Sequence, residues 1–339
     1  MRKRSLVLVV GASLATVALT VGSALADPTS PTGPRDLAGT GSDTTQGVMD
    51  ALSNVVTIGG TKVIASYDVS GANPITTKGT TGSAPCTFNR PVGSGAGTDA
   101  LHNSLVAGDG CLQFARSSNN DSASRTGQAL TYVPFATDGI SYAQLGSSNN
   151  SRVLSKALLQ KIYTCDSTTT ANFHPYLPQS NSGTRKFFME TYLGVANPEP
   201  PAACIKENDK NGNLLTENTG NLLPNDPKLI VPYSISSFIA QKNKAPGGLG
   251  QDVSGNIVLG GIGGVSSVLL NTSSGAGRPV FNVIPTNQVG TGSETDQVFD
   301  SNPAASPPTT ALVCQNTATI TGMGFATNPN CGSTAIQTP

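Results

Sequence analysis

Apolar positions along this 339-residue chain change period repeatedly, and the changes mark out alternating helices and strands. Val48, Ala51, Leu52 and Val55 recur at three- and four-residue intervals, which places them on one face of a helix. Residues 62–67 are rich in β-forming side chains and read as a strand. Ala100, Leu101, Ser104 and Leu105 mark a second helix, and 111–115 a strand. A further strand at 130–135 contains Pro134. Leu154, Leu158, Leu159 and Ile162 share one face of a helix over 155–163, with Ser155 as its cap. Phe187, Phe188 and Tyr192 fall in a helix expected over 184–193. Residues 229–232 read as a strand, 234–241 as a helix and 280–285 as a strand. The apolar run 257–270 is broken by Gly260, Gly261, Gly263 and Gly264, so strand pairs joined by a turn are expected there. Alternation of this kind predicts an α/β fold.

Between these elements the polar stretches differ in kind. Residues 27–35 are Pro-rich and read as an extended or disordered lead. Residues 205–228 are polar and Asn-rich, which suggests a long surface excursion. Three loops of small residues each run into a helix start: Gly41-Ser42-Asp43-Thr44-Thr45, Gly93-Ser94-Gly95-Ala96-Gly97-Thr98 and Gln179-Ser180-Asn181-Ser182-Gly183-Thr184. A first helical turn leaves N–H groups unpaired and carries partial positive charge, so three such ends aimed at one point would hold a small anion. Taken singly, each loop is equally well explained as an ordinary capped helix or turn.

Composition narrows the alternatives. Twenty basic and 20 acidic residues give no net charge, which argues against broad electrostatic binding to nucleic acid. The chain begins Met1-Arg2-Lys3-Arg4, is apolar over 6–25 and reaches Ala24-Leu25-Ala26, the layout of a secretory signal peptide spanning 1–26. No later apolar run is long enough to cross a bilayer, so a secreted or cell-wall-associated protein, a monomer, is expected. Cys86, Cys111, Cys165, Cys204, Cys314 and Cys331 suit three disulfides in an oxidising compartment. Six cysteines allow about 15 pairings; pairing of neighbours is expected, because each consecutive pair brackets a loop-rich stretch. No CxxC occurs and the histidines are only His102 and His174, so no metal site and no cofactor is expected.

Taken in order, Gly41-Ser42-Asp43-Thr44-Thr45-Gln46, Gly93-Ser94-Gly95-Ala96-Gly97, Phe114-Ala115-Arg116-Ser117-Ser118, Val133-Pro134-Phe135-Ala136, the helix at 154–163 and Ser182-Gly183-Thr184-Arg185 resemble the phosphate-binding proteins of ABC transporters, more narrowly the secreted branch of Gram-positive, high-GC bacteria. The resemblance covers roughly residues 36–331. It implies a two-lobed periplasmic-binding-protein fold with two crossing hinge strands, near Pro134 and Pro232. Lobe I would comprise 36–134 and 235–339, and lobe II 135–234. It further implies an oxyanion, phosphate foremost, in the cleft, and an ABC permease as partner. Asp43, Thr44, Ser94, Gly95, Ser118, Ser182, Gly183 and Thr184 match the family's ligand positions; Thr45, Arg116 and Ser117 complete the candidate set.

Two positions depart from the family. Ser118 stands where well-known phosphate binders place an Asp that accepts the ligand's proton, and Leu177-Pro178-Gln179 where they carry an Arg. Asp43 is then the candidate proton acceptor, with helix capping as its ordinary role, and Arg116 the candidate guanidinium. Arg185 is not expected to bind the ligand. A wall-associated adhesion or structural protein that keeps the fold without a ligand is the alternative. A secreted hydrolase fits less well, since GxSxG is absent and His102 follows Ser94 with no further catalytic signature; no catalytic residue is expected.

Overall fold

The computed structural model describes residues 27, 35–77, 85–120, 125–243, 252–267, 277–304 and 308–336. The expected signal peptide at 1–26 and most of the expected lead at 27–35 lie outside the described residues. In chain order the strands are β1 Leu37–Gly41, β2 Thr57–Ile58, β3 Thr61–Lys62, β4 Ile64–Ser66, β5 Ile75–Thr77, β6 Cys86–Phe88, β7 Phe114–Ser117, β8 Leu130–Leu145, β9 Val153–Leu154, β10 His174–Pro175, β11 Leu229–Ser234, β12 Ile257–Leu259, β13 Gly261–Ile262, β14 Gly277–Pro285 and β15 Ala326–Thr327. The helices that position the site are α1 Gln46–Val55, α2 Ser94–Ala107, α3 Lys156–Tyr163, α4 Gly183–Lys186 and α5 Ile235–Lys242.

Nine strands form one mixed sheet along the path β10-β11-β8-β14-β7-β1-β4, with β12 and β15 also paired to β8. β1 lies parallel to β4 and β7, an arrangement that needs crossover connections. β8 is 16 residues long and serves two sets of neighbours. Its residues Leu130–Gly139 pair with β14, while Ile140–Ala143 pair with β11 and Ala143–Leu145 with β12. The change of partner at Asp138–Ile140 divides the sheet into two halves, and alternation along the strands gives each half two apolar layers. Leu52, Ile64, Phe114 and Phe299 belong to one layer of the first half and Leu101, Tyr132 and Phe281 to the other. In the second half Leu159, Tyr163 and Phe188 face opposite to Tyr176, Leu229 and Tyr233.

Much of the expected pattern is present. α1, α2, α3 and α5 form where the apolar spacing places them, and the Ser155 hydroxyl accepts from Leu158 N–H at 3.1 Å as a true cap. The disulfides join neighbours, Cys86–Cys111, Cys165–Cys204 and Cys314–Cys331. The helix expected over 184–193 is a four-residue α4 continuing as a π-helix, Phe187–Leu193. At the ends of the expected lead, Asp27 pairs with Arg90 at 2.7 Å, and Arg35 donates to the Ser53 and Ile64 carbonyls.

The crossings differ from expectation. β11 stays in the second half, and the chain after it remains there: β12 pairs with β8 at 143–145 and β13 with β9. Residues 257–262, assigned from sequence to the first lobe, therefore join the second, because a short apolar segment finds its free sheet edge there. The return strand is β14, whose Gly277 opposes Gly139 and whose Pro285 opposes Leu130. Pro134 sits inside the first half beside a register shift in this ladder, where an irregular pairing tolerates the missing N–H. β8 changes partner at Asp138–Ile140, between Pro134, which opposes Phe281, and Tyr142, which opposes Pro232.

Candidate functional site

The three small-residue loops meet at this junction. The first leaves the carboxyl end of β1, and Ser42 N–H donates to the Arg116 carbonyl at 3.0 Å. Binding sites in open α/β sheets form beyond such strand ends, where the connections splay apart. The second loop is pressed against the first at Gly97: a Cβ there would lie 2.3 Å from Gly41 Cα. The third enters from the second half, and Gly183 permits its approach. A Cβ on Gly183 would stand 2.4 Å from Ser118 Oγ and 2.6 Å from Ser94 Oγ.

Contacts between the loops follow from that packing. Thr44 Oγ1 and Thr184 Oγ1 are 3.0 Å apart across the two halves. Ser94 Oγ lies 3.1 Å from Ser118 Oγ and accepts from Ser118 N–H at 3.0 Å. Gly95 N–H donates to the Asn181 carbonyl at 3.3 Å. The Ser182 hydroxyl caps α4, accepting from Arg185 N–H at 2.9 Å. Thr45 is buried with no partner for its hydroxyl. Ser117 turns away, donating to the Asn119 carbonyl at 2.7 Å.

Two buried arginines flank the loops, Arg116, the candidate guanidinium, and Arg185, which was not expected to bind. Arg116 is fully buried, but its Nε donates to the Ser42 carbonyl at 3.1 Å and its Nη1 to Ser66 Oγ at 2.9 Å. Asp50 and Asp68 lie beside it; burial raises both carboxyls, and Arg116 partly offsets this. Arg116 thus braces the first loop from below, and its Nη2 is buried with no hydrogen-bond partner. Arg185, also buried, is held by Asn197, the Pro178 carbonyl, Glu199 and Glu207, a structural role.

A further buried guanidinium at the junction is Arg278, carried in by the return strand β14. Its Nη2 donates to Asp138 Oδ2 at 3.0 Å and to Thr184 Oγ1 at 2.7 Å. The side chain is 1% exposed, yet Nε and Nη1 have no hydrogen-bond partner. The Phe187 ring lies 5.5 Å from the guanidinium carbon. Asp138 also accepts from Ser234 Oγ at 2.8 Å and Ser236 N–H at 3.2 Å, so its orientation is fixed from the second half. Arg278 borders an opening of about 210 Å³ shared with Asn119, Lys186, Phe187 and Thr191. Nothing in the local sequence signals this residue, since it lies at the start of a strand far along the chain from all three loops.

Glu217 is the second unexpected member. It comes from the polar excursion at 205–228, read from sequence as surface, but is 1% exposed. Its carboxylate accepts from Thr184 N–H at 3.2 Å and from the Thr44 hydroxyl. Its own N–H donates to Asp43 Oδ2 at 2.5 Å, and Asn218 Nδ2 donates to the Asp43 carbonyl at 2.9 Å. Burial and the Glu217 charge push Asp43 well above the usual carboxylate range. Burial also acts to raise Glu217, but hydrogen bonds from Asp43, Ser182 and Thr44 and the Arg278 charge outweigh it and keep Glu217 ionised. Asp43 is therefore the acid form of the pair. It does not cap α1, which has no side-chain cap, and its Oδ1 is buried without a hydrogen-bond partner.

No protein family and no curated relative matches the chain. Among solved structures it is similar to a candidate phosphate ABC transporter substrate-binding protein with bound phosphate from Clostridium perfringens, at TM-score 0.55 and 15% identity over 86% of this chain and 99% of that one. It is also similar to an ABC-type phosphate transport receptor from Vibrio cholerae, at TM-score 0.50 and 15% identity over 86% of this chain and 100% of that one. At such identity the likeness is one of architecture: the chain has the two-lobed α/β fold of the periplasmic binding proteins.

Proposed function

We propose that this is an extracellular solute-binding protein that takes a small oxyanion, phosphate foremost, between its two lobes. The observation that carries the reading is a buried Arg278 with two unfilled donor nitrogens beside the meeting point of Thr44 and Thr184, next to Ser94 and Ser118. A guanidinium offers two parallel N–H groups to a tetrahedral anion, and hydrogen bonds to an ionised oxygen contribute roughly 1.5–3 kcal/mol each. Export through the leader at 1–26 and an oxidising surrounding fit the three disulfides, with an ABC permease as recipient of the captured anion. Ser94 faces Ser118 and not a histidine, which gives the hydrolase reading no support.

Thermal melting tests this directly. Phosphate at 100 times its dissociation constant stabilises a binder by about 2.7 kcal/mol, and Arg278→Gln should abolish that shift. No shift with phosphate, sulfate, arsenate or molybdate would favour the second reading, a wall-associated structural protein without a ligand. One observation favours that alternative: Glu217 already fills the Thr44 and Thr184 donors.

A further inference from the structure

The Glu217 carboxylate stands where an external anion would stand. Its two oxygens take the Thr184 N–H and the Thr44 hydroxyl, one donor from each lobe. Arg278 lies one contact away, its Nη2 donating to Thr184 Oγ1 at 2.7 Å. These are the groups that the oxyanion reading assigns to a ligand's oxygens. The position is also supported from behind: Asn218, the next residue, donates to the Asp43 carbonyl at 2.9 Å, and Tyr233 Oη donates to the Asn218 carbonyl at 2.6 Å. Buried at 1% exposure, this carboxylate meets a hydroxyl and a backbone amide as a planar oxyanion does.

Competition for donors is the consequence. Arg278 is already matched by Asp138 at 3.0 Å, and Glu217 holds the Thr184 N–H and the Thr44 hydroxyl. An oxyanion that takes those two donors has to displace the Glu217 carboxylate from them.

We propose that Glu217 is a tethered internal anion that occupies the oxyanion site, and that capture of phosphate requires the segment around it to withdraw. This rests on the oxyanion reading above. The carboxylate keeps the donors of both lobes satisfied when no solute is bound, and it sets a threshold that a weakly binding anion does not pass.

The test is calorimetric titration of phosphate and of sulfate into the intact protein and into Glu217→Gln, which keeps the shape and removes the charge. At least a ten-fold lower phosphate dissociation constant is expected in the variant. Hydrogen exchange on the unmutated protein supplies a second measurement: saturating phosphate should strip protection from the Glu217 amide, which is otherwise bonded to Asp43. Equal or weaker phosphate binding by Glu217→Gln, or an amide whose protection phosphate leaves unchanged, overturns the proposal while leaving the oxyanion reading intact. If both folded proteins ignore both anions, the two readings fall together.

Discussion

Arg278 and Glu217 show how a site can be built from residues with no local signature. The loop residues Thr44, Ser94 and Thr184 were visible because small polar residues before a helix form a pattern within a few positions. An arginine that opens a strand, or a glutamate in an Asn-rich stretch, has no such pattern, and only the register of β14 against β8 and the path of 205–228 bring them in. Arg278 reaches Thr184 Oγ1, whereas Arg116 lies beneath the first loop, its Nε and Nη1 bonded to the Ser42 carbonyl and Ser66 and its Nη2 buried without a partner. Removing Arg278 strands Asp138 in the interior, and breaking one partner of a buried pair costs about 3–5 kcal/mol. Urea unfolding of Arg278→Gln should show most of that loss. Gly183→Ala should be costly for a different reason, since the new methyl would meet Ser118 Oγ at 2.4 Å. Overpacking costs typically 1–3 kcal/mol, and the variant should lose phosphate binding more than stability, as the third loop is forced off the first two.

Individual elements were legible wherever periodicity and a cap agreed. α3 is the clearest case: its apolar face and its Ser155 cap were both read correctly, and Ser155→Ala should cost about 1 kcal/mol in a denaturant titration with an unchanged slope. The third-loop helix was harder, because the aromatic cluster at Phe187, Phe188 and Tyr192 fits a wider coil that spacing does not distinguish from an α-helix. The helix Glu294–Phe299 carries a pH-dependent element. Burial and the neighbouring Asp296 raise the Asp300 carboxyl to about 6. A carboxyl raised on folding stabilises the native state at pH values below its unfolded value near 3.9, and that contribution is lost as the pH rises through about 6. Melting temperature should accordingly fall between about pH 4 and pH 6 on this account, and Asp300→Asn should lessen the fall; an identical profile in the variant would show that the Asp296–Asp300 pair does not control it.

At the scale of the whole molecule, the α/β class could be read from the order of elements along the chain, whereas neighbour pairing of the cysteines was one of about 15 possibilities that the fold selects. The crossings could not, because a strand's neighbours depend on which edge remains free once the others have paired. Gly-rich residues 257–262 carry no mark that says which half they will join; the exposed edge of β8 at 143–145 decides it. The disulfides staple loops within each half. Cys165–Cys204 closes a separation of 39 residues, for which chain entropy gives roughly 3–4.7 kcal/mol. Cys165→Ser with Cys204→Ser should lower stability by a figure in that range in calorimetric unfolding.

The long strand β8 has a mechanical consequence. One continuous backbone runs through both lobes, and β14 is laced to it from Gly139 to Leu130, so the lobes cannot slide past each other without breaking that ladder. They can only rotate about the line where the strand exchanges neighbours. Arg278 joins Asp138, at the exchange point, to Thr184 on the second half, and Thr44 touches Thr184 from the first half at 3.0 Å. Parting the two leaves would thus separate the two hydroxyls while β14 stays laced to β8.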